Sequence, residues 1–408
     1  MILKPIINSL LENDLYKYSM GQAIYHQFNK IRTKWAFKCR NKDVVFTPEM
    51  VQEIRDQVAH FCTLRYTEDE LLWMKNNIPW LTSDYLSHLR RWYPRPEQIY
   101  IVDGEITRSI EPCGMRITAD GEWSDTSMYE IPILAIVNEV YFAFKYGVGG
   151  LNKQFEERLI EKVDLLNRGM YHLGVFSEFG LRRRYSAETQ DMAVGYLKDM
   201  VKVPFSHFVG TSNVHLARKH NVKPVGTMAH EWIQTIGQAL HEHNPAYSNH
   251  YMMKYWVREY STDNGIALTD TITTDCFLRD FNKTYATLFS GVRHDSNDPI
   301  VWGEKMIAHY EKLGIDPKTK TLLFSDSLDF QRATRIYNHF WVRAKVAFGI
   351  GTYISNDCGV EPLNIVMKVV EANGSPVAKL SDTDGKTMSV DASYVDYLKR
   401  CIDWRLKN

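Results

Sequence analysis

After residue 170 the chain repeats one pattern: a short apolar run, a polar or glycine-bearing motif, then a helical segment. Phe208-Val-Gly-Thr-Ser-Asn213 precedes a helix over Val214–His220, and Pro224-Val-Gly-Thr227 precedes one over Ile233–His241. Gly265-Ile-Ala-Leu-Thr-Asp270 leads into 274–282, and the run Leu288 to Ser296 leads into a helix with Asp298 as cap and Pro299 at its first position. Leu322-Leu-Phe-Ser-Asp326 leads into 328–340, and Val346-Ala-Phe-Gly-Ile-Gly-Thr352 closes the series. Strands alternating with helices build a parallel sheet, because a parallel partner needs a crossover. Half a dozen such units predict a barrel rather than an open sheet, with the site at the C-terminal ends of its strands. Every polar motif named above falls at that end.

The 408 residues exceed one ordinary core, so two domains are expected. Before residue 130 the texture is α+β. Alternation over 31–40 reads as a strand, and Thr67-Glu-Asp-Glu70 reads as a capping box. Further alternation over 98–110 and 115–123 is punctuated by Asp103-Gly104 and Asp120-Gly121. Glu130–Tyr146 reads as a long apolar helix joining the domains, and residues 363–380 as two β runs hinged at Asn373-Gly374, expected to rejoin the first domain. The expected division is 1–130 with 360–408 as one domain and 131–359 as the barrel.

Lys+Arg and Asp+Glu both number 49, which argues against bulk nucleic-acid binding. No stretch reaches the about 18 apolar residues of a membrane helix, and Met1–Leu11 lacks the form of a signal peptide. The six cysteines are scattered without a C-x-x-C pair, pointing to free thiols in a reducing cytoplasm.

His230 is the candidate reacting group. With Thr227 as N-cap it falls in the first helical turn, where the helix dipole disfavours an imidazolium and favours an anion on the ring. A neutral imidazole there can accept a phosphoryl group; equally, a histidine there can simply top a helix. Asp270 could accept the imidazole N–H and fix its tautomer. Asp295 could hold ribose hydroxyls or a divalent metal, and Arg293 a carboxylate or phosphate. Ser325-Asp326 could do similar work. Phe348 to Thr352 offers the N–H groups of a phosphate cradle, and Gly180-Leu-Arg-Arg-Arg184 supplies guanidinium groups beside Phe179. Plainer readings exist: a solvated charge run for Arg182–Arg184, a turn for Gly349 and Gly351, helix caps for Asp270 and Asp326, a loop for Gly147–Gly150. Asp384-Gly-Lys-Thr387 is not a P-loop, since Leu380 stands where the first glycine belongs, and no H-E-x-x-H, C₂H₂ or G-x-S-x-G pattern occurs.

These motifs, in this order, resemble the bacterial-type nicotinate phosphoribosyltransferases from about Leu11 to about Lys386. The resemblance is carried by Asn13-Asp-Leu-Tyr-Lys17, Phe37-Lys-Cys-Arg40, Phe179 to Arg184, Phe208 to Asn213, Gly226 to Trp232, Ala267 to Asp270, Arg293 to Ser296, Phe348 to Thr352 and Pro362-Leu-Asn-Ile-Val366. It implies an irregular α/β barrel of the type II phosphoribosyltransferases beside an α+β sandwich domain. It implies a homodimer whose sites are completed by the partner chain. The implied reaction joins nicotinate to 5-phosphoribosyl-1-pyrophosphate, driven by ATP through a phosphohistidine at His230, with Mg²⁺ on the polyphosphates.

Carried over, Phe179 and Tyr16 would sandwich the pyridine, the latter from the partner. Arg182 and Arg293 would face carboxylate or phosphate, and Asp295 the ribose. Gly351 and Thr352 would hold the 5′-phosphate, and Arg40 of the other chain the polyphosphate. Ser212 stands where nicotinamide-using relatives place an aspartate; a hydroxyl can donate to a carboxylate that an aspartate would repel. Two positions depart from the family pattern. Asn297 replaces a usual glycine, and asparagine is the next residue to tolerate positive φ. Leu181 removes a possible hydroxyl contact. Competing readings are a phosphoribosyltransferase for nicotinamide or quinolinate, or a sugar-phosphate-binding or hydrolytic barrel.

Overall fold

The structure, a computed structural model, describes residues 2–103, 113–204, 206–240, 242–380, 389 and 391–407. The latter part of the 98–110 alternation, with the glycine of Asp103-Gly104, and the Asp384–Thr387 stretch lie outside these residues. Twelve strands are described. β1 (Arg32–Cys39), β2 (Ile99–Asp103) and β3 (Met115–Glu122) precede the parallel series β4 (Gly174–Glu178), β5 (Ser206–Thr211), β6 (Lys223–Pro224), β7 (Ile266–Leu268), β8 (Gly291–His294), β9 (Thr321–Phe324) and β10 (Lys345–Ile350); β11 (Ile365–Ala372) and β12 (Ser375–Pro376) follow.

The parallel series forms one curled sheet in the order β6-β5-β4-β10-β9-β8-β7. The middle of the sheet is covered on both faces, as parallel sheets require: all four residues of β8 and the last three of β9 and β10 are buried. Phe324 stacks on Phe348 with centroids 5.8 Å apart, and Phe176 meets Phe330 edge-on at 5.9 Å. Among the described residues no ladder joins β6 to β7, so the barrel is open on one side. The run over β4 went unread in sequence because Gly174-Val-Phe-Ser-Glu178 has only two apolar side chains, Val175 and Phe176.

The second sheet is antiparallel, in the order β12-β11-β1-β3-β2. β11 pairs with β1 along its whole length, Trp35 opposite Val369. Asn373 and Gly374, at φ 48° and 75°, make the turn into β12. Asp120-Gly121 lies within β3 and does not break it. Thr67 and Glu70 form both bonds of the expected capping box, a device worth about 1 kcal/mol. The helix Ala392–Lys407 packs elsewhere. Its Leu398 and Ile402 join Ile272, Cys276 and Leu380 in a small core on the barrel side, and Arg405 bonds Asp280 at 2.9 Å.

Three features dock the two sheets. The helix Glu130–Tyr146 is buried from Glu130 to Asn138 and again over Val140–Ala143, which its apolar composition all round permits. The segment before the helix Leu15–Gln27 binds the end of β5: Leu15 N–H donates to Ser212 O at 2.9 Å and Val214 N–H to Asn13 O at 3.1 Å. Trp232 stacks on Trp123 at 5.8 Å and meets Trp256 edge-on at 5.5 Å; such ring pairs add about 0.5–1.5 kcal/mol each beyond burial.

Beneath that contact Lys17, fully buried, lies 2.8 Å from Glu130 and 2.6 Å from Glu231. Ser127 also donates to Glu231 at 2.5 Å, and Lys368 approaches Glu130 at 3.3 Å. Burial pushes Glu130 up, but Lys17, Lys368 and Arg182 outweigh it and hold the carboxyl at about 2. Removing one partner from such a cluster leaves an uncompensated buried charge. Lys17→Met is therefore expected to destabilise the fold by about 3–5 kcal/mol, and Lys17→Met with Glu231→Gln by less. Urea midpoints of the two variants and the parent check this; equal losses would refute it.

Candidate active site

The C-terminal ends of the barrel strands open on a cavity of about 440 Å³. Residues of the second sheet cover it: Val366 and Lys368 of β11, Asn364 before it, and Arg40 after β1. Of the twelve residues singled out from sequence, eleven line this cavity: Tyr16, Arg40, Phe179, Arg182, Ser212, His230, Arg293, Asp295, Asp326, Gly351 and Thr352. Asp270 stands directly behind His230. One expectation is corrected. Tyr16 and Arg40 were to come from a partner chain, yet both line the cavity of their own chain, because residues 13–15 are hydrogen-bonded to the end of β5 and Arg40 N–H donates to Asn364 O at 2.9 Å.

His230 is the first residue of the helix His230–Ala239. Ala229 is the N-cap and Thr227 is not. The Thr227 hydroxyl instead accepts from Arg293 Nη1 at 2.8 Å, and the same nitrogen donates to Met228 O at 2.9 Å. His230 Nε2 lies 3.0 Å from Asp270 Oδ1 and 3.5 Å from Asp295 Oδ2. Asp270 Oδ2 accepts from Ser296 at 2.7 Å and pairs with Lys379 Nζ at 2.9 Å; Lys379 lies 3.9 Å from Asp295. The contact between His230 and Asp270 spans the open side of the barrel, since one follows β6 and the other β7.

Burial, reinforced by the Lys379 ammonium, pulls His230 down to about 4 against the opposing pull of Asp270 and Asp295. The imidazole is thus neutral at pH 7, with burial and Lys379 acting beside the helix terminus expected from sequence. Burial raises Asp270, but Lys379 and His230 hold it well below the usual carboxylate range. Asp295 is held low in the same way, chiefly by Arg293 and Lys379.

Opposite His230, the turn after β4 presents Phe179, Arg182 and Arg183. A Cβ on Gly349 would lie 2.2 Å from the Phe179 ring, so glycine there makes room for the aromatic. Arg183 is pulled down to about 10 by burial and by Arg182 beside it, a sign of concentrated positive charge. Asn297 adopts φ 73°, the left-handed conformation expected of it.

Sequence reasoning missed Asp14, Lys368 and Lys379, which line the cavity together with Arg183 of the Gly180–Arg184 run. Asp14 sat inside a quoted motif without a role. Lys368 and Lys379 lie in β-like runs, where a lysine reads as a solvated face; the available signal was a charge inside otherwise apolar alternation.

His230, Asp270 and Asp295 bring potential metal-ligating atoms within 4.8 Å of one another. The trio fits magnesium poorly: Lys379 already pairs with Asp270, His230 Nε2 is engaged by that carboxylate, and Mg²⁺ prefers oxygen donors and water. The half-buried Asp326 on the cavity wall is the better match to an ion carried mainly by phosphates.

Two family profiles match the chain: the nicotinate phosphoribosyltransferase N-terminal domain over residues 11–138 and the nicotinate phosphoribosyltransferase family over residues 175–404. The nicotinate phosphoribosyltransferase of Cupriavidus necator is 44% identical over 407 residues, covering 97% of this chain and 98% of that protein. Crystal structures of nicotinate phosphoribosyltransferases from Porphyromonas gingivalis and Vibrio cholerae superpose with TM-scores of 0.88 and 0.89 at 35% and 36% identity. They cover 98% of this chain each, and 100% and 95% of their own. With this agreement in sequence, in fold and in the extent of both chains, the protein belongs to the nicotinate phosphoribosyltransferase family.

Proposed function

We propose that this chain transfers the 5-phosphoribosyl group from 5-phosphoribosyl-1-pyrophosphate to the ring nitrogen of nicotinate. The products are nicotinate mononucleotide and pyrophosphate, in the first step of NAD synthesis from nicotinate. ATP is consumed through a phosphohistidine at His230. The observation carrying this reading is that one cavity is lined by an aromatic pair, a cluster of arginines and lysines, a glycine–threonine turn and a buried neutral histidine.

Phe179 and Tyr16 hold the pyridine between them. Arg293 faces a phosphate or carboxylate, Asp295 the ribose hydroxyls, and Gly351 with Thr352 the 5′-phosphate. Arg40 and Arg182 receive the departing pyrophosphate, with Arg183 and Lys368 adding charge. The bond from C1 of the ribose to pyrophosphate breaks through an oxocarbenium-like state. Cations fixed in a desolvated site stabilise the leaving group without reorganising, and holding the nitrogen in line removes association entropy from the barrier. Asp326 would hold Mg²⁺ on the polyphosphate, where the ion neutralises charge that develops on the leaving group.

His230 acts separately. Asp270 engages Nε2, which leaves the lone pair on Nδ1 to attack the γ-phosphorus of ATP. ADP leaves, and hydrolysis of the phosphohistidine returns the imidazole. Coupling needs the phosphorylated and free forms to differ in affinity for phosphoribosyl pyrophosphate; a dianion placed among Asp270, Asp295 and Lys379 redistributes charge at that cavity wall. Tyr16 and Arg40 line the cavity of the chain that carries His230. Six free thiols support residence in a reducing cytoplasm. No helix among the described residues is long and apolar enough to cross a membrane.

Incubation with γ-labelled ATP is expected to leave an acid-labile label on the parent and none on His230→Asn, while nicotinate mononucleotide formation in the variant loses its stimulation by ATP. A label that persists in the variant, or no product from nicotinate in the parent, overturns the reading. A second expectation concerns pH. His230 titrates at about 4 in the fold against 6.5 when exposed. The fold therefore excludes a proton that the unfolded chain binds, and this contribution is complete above pH 6.5 and lost as pH falls through about 4. It amounts to about 3 kcal/mol. His230→Gln should lose correspondingly less stability than the parent over that window, read from urea midpoints; parallel curves would sink the assignment of a neutral buried imidazole.

A further inference from the structure

Asp14 and Ser212 meet inside the cavity. Ser212 Oγ donates to Asp14 Oδ1 at 2.6 Å, and both side chains are almost wholly removed from water. Asp14 is the N-cap residue of the helix Leu15–Gln27, where an aspartate ordinarily accepts from a backbone N–H two or three residues on. Its side chain makes no such bond. The carboxylate is turned away from its own helix and onto the serine.

This arrangement conflicts with an anionic substrate. A serine hydroxyl has one proton. While Asp14 is ionised it takes that proton, so Ser212 offers the cavity only lone pairs. A nicotinate carboxylate beside it would meet those lone pairs and a second carboxylate. A neutral amide would instead find an acceptor. The groups facing Asp14 are Ser212 after β5, Glu178 at the end of β4, Arg182 in the following turn, Glu130 on the joining helix, and Lys17 and Tyr16 on its own helix. Burial is the largest influence and raises Asp14 above the usual carboxylate value, against the lowering effects of Arg182 and Ser212. A second anion would raise it further.

Resting on the reaction proposed above, we propose that Asp14 is a positioning residue that selects the acid form of the pyridine. It takes up a proton from solvent as nicotinate binds and donates it to Ser212 Oγ, which turns the serine hydroxyl to donate to the nicotinate carboxylate. One proton enters, no covalent bond other than the acid O–H forms, and the relay reverses when product leaves. Selection for nicotinate over nicotinamide then falls as pH rises.

The test measures KM for nicotinate from about pH 6 to about pH 9, where neither nicotinate group titrates. The parent's KM should rise by up to about tenfold per pH unit at the alkaline end while kcat changes less. In Asp14→Asn the amide donates to Ser212 permanently, so the KM profile flattens. A slope that persists in that variant assigns the titration to another group, Glu178 being the nearest candidate, and overturns the relay. Calorimetry of nicotinate binding to the unaltered protein, in buffers of different ionisation enthalpy, needs no variant to fold; it should report uptake of about one proton. Turnover of nicotinate with neither proton uptake nor a KM slope removes the relay and leaves the proposed reaction standing. Failure to bind or turn over nicotinate at all removes both.

Discussion

Lys17 Nζ sits 2.6 Å from Glu231 and 2.8 Å from Glu130, with all three side chains taken out of water. The three residues belong to the first helix, the helix joining the two parts of the molecule, and the helix that carries His230. A buried ammonium held between two carboxylates tolerates little displacement, because each charge depends on the others for solvation it has lost. Tyr16 precedes Lys17 and His230 precedes Glu231, so the same contact fixes the Tyr16 ring and the His230 imidazole in one frame. Lys368 and Arg182 reach toward the same Glu130 from the cavity wall. The site is thus assembled from five regions of the chain around a shared electrostatic node.

The open side of the barrel shows a related economy. Strands β6 and β7 do not pair, and β6 is only two residues long. Side chains cross where backbone does not: His230 after β6 meets Asp270 after β7, and Leu380 N–H donates to Thr271 O at 2.9 Å, bringing Lys379 in beside them. A closed ladder here would have left no room for the imidazole. The opening lets a neutral nitrogen base stand among two carboxylates, an ammonium and the Arg293 guanidinium, whose charges cancel. Lys379 matters to that balance, since without it the carboxylates would pull His230 toward its charged form.

The barrel was legible because its strands are buried on both faces and its turns carry glycine, asparagine and aspartate at fixed offsets. Asp298 announced its helix as a cap, and eleven of the twelve named site residues line one cavity. What sequence could not give was set by tertiary contact. Thr227 reads as a cap until the Arg293 guanidinium is seen to occupy its hydroxyl. Lys368 and Lys379 look like solvent-facing residues of strands until a second sheet is laid over the barrel mouth. Asp14 has no role of its own within its motif until its carboxylate is found on Ser212. Part of the cause of the low His230 value also lay beyond local sequence, in burial and in a lysine 149 residues along the chain.

Tyr16 and Arg40 enter the cavity from the polypeptide that supplies His230. The aromatic, the guanidinium and the imidazole are therefore inherited on one polypeptide, and a lesion at any of them alters the cavity of the molecule that bears it.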